Sequence, residues 1–61
     1  MKLDLHKYAT EWVTEVGGEL QGVTTEEVME EVNANLPDDT DAITFDEADT
    51  IRRIIEDALA Q

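Results

Sequence analysis

Twice in this chain an aliphatic residue is followed by threonine and, three residues later, by glutamate: Val23-Thr24 with Glu27, and Ile43-Thr44 with Glu47. This is the capping-box pattern, in which the threonine hydroxyl accepts from a free backbone N–H at the start of a helix and the glutamate reaches back to a second one. Val23 with Val28, and Ile43 with Ala48, stand at the positions of a hydrophobic staple on either side of each box. Two helices therefore start at fixed points, and the chain between them has room for one short helix and a loop.

The first start predicts a helix over about Thr25 to Asn35. Val28, Val32 and Leu36 form its narrow apolar stripe with Met29 at the edge, and Pro37 ends it by restricting Leu36 away from helical geometry. The second start predicts a helix over about Phe45 to Ala60. Its core face is Ala48, Ile51, Ile55, Ala58 and Leu59, and Ile54 widens that stripe beyond what two short partners cover. Upstream, Leu5, Ala9, Trp12, Val13 and Val16 recur at helical spacing and predict a helix from Leu3 to Val16, with Asp4 as N-cap and Gly17 as the stop. Trp12 has the largest apolar area in the chain and is expected at the centre of the core. Gly18 to Gly22 reads as a connector with Leu20 tucked beneath it. The expected fold is all-α: one small three-helix domain over residues 1–61, ordered helix-turn-helix-loop-helix.

A chain of 61 residues buries only about 60% of the surface its unfolded form exposes, so its stability rests on good caps and tight packing. It has no cysteine and one histidine, which removes disulfides and a structural zinc site and fits a reducing cytosol. No cofactor is expected. No apolar run approaches the roughly 18 residues of a membrane span, and the N-terminus has no signal-peptide core, so the expectation is a soluble cytoplasmic protein.

Charge is distributed unevenly. Val23 to Ile51 holds ten acidic residues and no Lys or Arg, and so carries most of the net −12. Such a field repels nucleic acid and anionic lipid, because phosphate binding is carried by Lys and Arg. Neither direct nucleic-acid binding nor membrane binding is expected. The third helix sets both of its arginines against its own acids, with Asp49 to Arg53, Arg53 to Asp57 and Arg52 to Glu56 all four apart. In the first helix Lys7 stands four before Glu11 and offers it a counter-charge.

On the second helix Glu26 and Glu30, and Glu27 and Glu31, are like charges four apart, and each pair costs roughly 0.2 to 0.5 kcal/mol. The positive helix start favours Glu26 and Glu27 but not Glu30 and Glu31 beyond it. Nothing local requires Glu30, Glu31, Asp38, Asp39 or Asp41. These five, with Glu27 in a dual role, are the candidate partner-binding residues. Carboxylates four apart lie about 6 Å apart along a helix axis, the same order as successive phosphates along a nucleic-acid strand.

The pattern points to a non-enzymatic acidic protein that meets the basic surface of a nucleic-acid-binding protein, as an inhibitor or modulator. In general character it resembles the small acidic nucleic-acid mimics that phages and mobile elements encode, although no motif ties it to one family. One alternative is a small structural or assembly subunit of a salt-adapted organism, acidic for solvation only. Salt adaptation spreads acids over the whole surface, whereas here one helix sets its arginines against its own acids.

Other chemistries are poorly supplied. Leu36 to Glu47 can be laid on a twelve-residue EF-hand loop, and Ile43 to Glu47 resembles the end of one; a degenerate cation-binding helix-loop-helix is therefore a further alternative. The first ligand position is Leu36, however, and the glycine position is Asp41. His6 has no acid four residues on and reads as a surface side chain. The chain has no serine or cysteine, so the usual nucleophiles are lacking apart from threonines that caps and exposed faces account for. An enzyme is not expected. Ile54, Met29 and Tyr8 suit either edge packing or a small apolar contact with a second copy, which leaves a homodimer open.

Overall fold

Both threonine starts form helices where the pattern places them. In a computed structural model, which describes residues 2–60, three α-helices follow in order: α1 (Leu5–Val16), α2 (Thr25–Ala34) and α3 (Phe45–Leu59), with a 3-10 turn at Gly17–Leu20 between the first two. Among the described residues there is no strand, and no helix is long and apolar enough to cross a membrane.

The box at α3 is complete. Glu47 N–H donates to Thr44 Oγ1 at 3.2 Å, and Thr44 N–H donates to Glu47 Oε1 at 3.0 Å. The box at α2 is half of one. Glu27 N–H donates to Thr24 Oγ1 at 3.2 Å, but the Glu27 carboxylate accepts from the Thr24 hydroxyl, at 3.1 Å, in place of the backbone N–H. At α1 the Asp4 carboxylate accepts from Lys7 N–H at 3.1 Å, which starts the helix at Leu5, two residues later than Leu3. The helix stops at Gly17, whose φ of 67° with ψ of −132° is backbone that only glycine enters without strain. The 3-10 turn that follows folds Leu20 into the core.

The spine is α3. Both α1 and α2 pack against it, and their own backbones do not come close to each other. The reason lies in the width of the α3 stripe: Ala48, Ile51 and Ile55 are fully buried, and Ile54 and Leu59 flank them against the same core. Val28 and Val32 from α2, Ala9 from α1, Leu20 and Ile43 complete the buried set, and none of its members is polar.

Two expectations are corrected here. Trp12 is half-buried at the edge of the core. Fully buried Ala9 occupies the middle of the α1 face, and the large indole lies to one side of it. Val16, expected on the core face, is 36% exposed, because α1 ends there and the chain turns away. Met29, Ile54 and Tyr8 are half-buried against the core.

One tertiary contact sets the course of the loop between α2 and α3. The Asn33 side chain accepts from Ile43 N–H at 2.8 Å and donates to Ile43 C=O at 3.4 Å. It thus takes the place of a paired strand for a buried residue with no helix of its own. Asn33→Ala leaves a part-buried N–H without this acceptor and is expected to cost about 1–3 kcal/mol. Asn33→Asp keeps the acceptor but sets a carboxylate oxygen in place of the donor facing Ile43 C=O, so it should recover only part of that loss. Thermal melts of the two variants, with amide exchange at Ile43, check this; equal melting points would remove the tether from the account.

Candidate interaction surface

The outer face of α2 is built by the same periodicity that buries its inner one. With Val28 and Val32 turned to α3, Glu26, Glu27, Glu30 and Glu31 all fall on the exposed side. The glutamates of the first turn, Glu26 and Glu27, lie where the helix dipole favours them. At the other end of α2 the dipole is negative, and no basic residue stands in the last turn. Asn35 closes that end by donating its side-chain amide to Glu31 C=O at 2.8 Å.

The loop then adds its own acids beside the same negative terminus. Thr40 N–H donates to Pro37 C=O at 3.0 Å, which makes residues 37–40 a turn with Asp38 and Asp39 at its tip. Asp38, Asp39 and Asp41 are all exposed. The structure therefore gathers Glu30, Glu31, Asp38, Asp39 and Asp41 around the C-terminal half of α2 and the loop leaving it. Among the described residues, Glu30, Glu31, Asp38 and Asp41 take part in no ion pair. Glu27 also lies on this face, with its carboxylate held in the cap.

On α3 both arginines are answered. Arg53 pairs with Asp49 at 3.1 Å, and Arg52 pairs with both Asp49, at 3.1 Å, and Glu56. Two expected pairs are not among the ion pairs of the described residues: Arg53 turns to Asp49 and not to Asp57, and Lys7 does not bridge to Glu11. The network also ties α3 to α2, since Arg52 Nε donates to Thr25 Oγ1 at 2.9 Å and that hydroxyl donates to Asp49 at 3.2 Å. Spacing alone gives no sign of this link across 27 residues.

The Arg52 hydrogen bond holds the Asp49 carboxyl below the usual carboxylate range; partial burial opposes this, and Arg53 and Thr25 reinforce it. A lowered native pKa means that the network's contribution is fully present above the unfolded value of about 3.9 and is lost as pH falls through the native one. Asp49→Asn should therefore be less stable than the parent chain near neutral pH, with the gap closing well below about pH 4. Urea melts at the two pH values test the sign. A gap that widens in acid contradicts it.

The EF-hand-like segment has other uses for its side chains. Glu47, the last ligand position of such a loop, accepts from Thr44 N–H in the cap. Among the described residues, no three of His, Asp or Glu converge as a metal site.

Two features were not legible as site residues. Phe45, the first residue of α3, is 53% exposed and adjoins the acidic loop. On α1, Tyr8 and Trp12 stand edge to face, with ring centroids 5.7 Å apart and planes at 72°. A surface cavity of about 110 Å³ is lined by these two rings with Glu11 and Glu15. The signal for it was present at i, i+3 and i+4 spacing along one flank of the helix. No protein-family model, curated protein or solved structure matches this chain.

Proposed function

We propose that this chain is a non-enzymatic acidic interaction protein that occupies a basic, phosphate-binding surface of a nucleic-acid-handling protein and thereby inhibits or modulates it. The observation that carries this reading is the gathering of acids around the C-terminal half of α2 and its loop, where no basic residue stands, while both arginines of α3 pair within their own helix. Like charges four apart destabilise a helix, so Glu30 and Glu31 are better accounted for by what they meet than by what they hold together. A concentrated field of one sign also steers a small protein onto an oppositely charged surface. The same chemistry is used by acidic mimics from phages and mobile elements.

The test begins with the folded chain as bait in lysate of the native host, followed by mass spectrometry. The captured protein is expected to bind duplex DNA or RNA, and the acidic chain to displace the nucleic acid competitively. Displacement should weaken steeply between low and moderate salt, as charge-driven association does. A partner that holds nucleic acid and this chain at the same time sinks the proposal.

A further inference from the structure

The cavity on α1 adds a shaped feature to the acidic surface. Tyr8, Glu11, Trp12 and Glu15 line it, and the two rings meet at 72°, so they form a corner instead of a closed stack. Both carboxylate side chains belong to exposed residues, and among the described residues neither is in an ion pair. A second helix adds to the field. The Tyr8 hydroxyl is pushed up in pKa by burial first, then by the charges of Glu31 on α2 and Glu15 on α1. Glu31, one of the acids singled out from sequence, thus bears on Tyr8 together with Glu15 although the backbones of the two helices do not come close.

We infer that this corner is the receptor for an arginine side chain of the basic partner, its guanidinium lying against the Tyr8 and Trp12 rings and hydrogen-bonded to Glu11 and Glu15. The inference rests on the reading of a basic partner and deepens it by naming the anchor. Charge complementarity selects a cation, since the lining offers two carboxylates and two π faces and no base. The shape selects arginine over lysine: a planar guanidinium stacks on aromatic rings and presents a fork of donors to carboxylates, while an ammonium is a compact, strongly hydrated point. Aromatic contacts desolvated at the middle of an interface carry more of its affinity than rim charges do, so the α1 corner supplies specificity that the diffuse acids of α2 and the loop do not.

Trp12 is the only tryptophan, which makes its emission a reporter of this site alone. Nona-arginine is titrated into the full chain at low salt, with Trp12 emission and calorimetric heat followed together. The expected result is a saturable change in emission that tracks the heat, a smaller change with nona-lysine, and roughly tenfold weaker binding by E11Q/E15Q. Both substitutions are at exposed positions, and circular dichroism of the variant should match the parent. Heat without a change in emission, or parental affinity in E11Q/E15Q, overturns the pocket and leaves the acidic face of α2 standing. An equal emission change with nona-lysine overturns the assignment to arginine. No heat with either peptide overturns the pocket together with the basic-partner reading on which it rests.

Discussion

Ile51→Ala is expected to leave a large fraction of the chain unfolded at room temperature. Ile51 is fully buried on the one helix that both others pack against, so its side chain has no single neighbour that can close over the space. Truncation of a buried isoleucine to alanine costs about 2–5 kcal/mol, because a cavity adds to the lost transfer free energy. A core of this size rarely supplies more than about 3–5 kcal/mol in all. Alanine returns only a few tenths of a kcal/mol through its better helix propensity. The loss therefore rivals the whole stability. Ile54→Ala, at a half-buried position on the same helix, is the comparison and should cost nearer 1 kcal/mol. Far-UV circular dichroism with urea melts reads both. A cooperative Ile51→Ala transition close to the parent midpoint would mean that α3 is not the spine.

The helix starts that rest on a cap three residues away were legible in the chain, whereas two side-chain pairs expected four apart, Arg53 with Asp57 and Lys7 with Glu11, are not among the ion pairs of the described residues. Thr24 and Thr44 start their helices because each hydroxyl needs only the backbone N–H of the glutamate three residues on. Gly17 stops α1 through its own dihedral angles. What escaped is tertiary. Asn33 reads as an ordinary polar residue until the loop returns ten residues later and Ile43 needs an acceptor. Thr25 reads as the first residue of a helix, yet its hydroxyl links Arg52 and Asp49 on α3. Trp12 was misplaced for a related reason: periodicity assigns a face but not how many helices cover it, and α1 has only one partner helix. The acids of the candidate surface were legible as a set because they lack local reasons to exist. The bearing of Glu31, together with Glu15, on Tyr8 was not, since it depends on how α1 and α2 lie across α3.

The charge-reversal variant E30K/E31K/D38K/D39K is expected to lose binding to the basic partner by at least about 100-fold while folding as well as the parent. Four reversals, each worth two charges, take the net from −12 to −4. All four positions are exposed, so no buried contact is lost with them. On α2 the change should help the helix: the new lysines stand four residues after Glu26 and Glu27, replacing repulsive pairs by attractive ones in the favoured order, each worth roughly 0.2 to 0.5 kcal/mol. A loss of binding with undiminished helicity then reports the surface and not the fold. The rival account of the acids, solvation in a salt-rich cytoplasm, leads elsewhere. It requires the parent chain to gain much of its structure only in molar salt, and it leaves partner affinity indifferent to these four residues. Dichroism of the parent at low and molar salt, beside affinities of parent and variant for the captured partner, separates the two. Parental affinity in the variant removes the acidic face from the mechanism, because a like-charged surface brought against a basic groove costs several kcal/mol and cannot pass unnoticed.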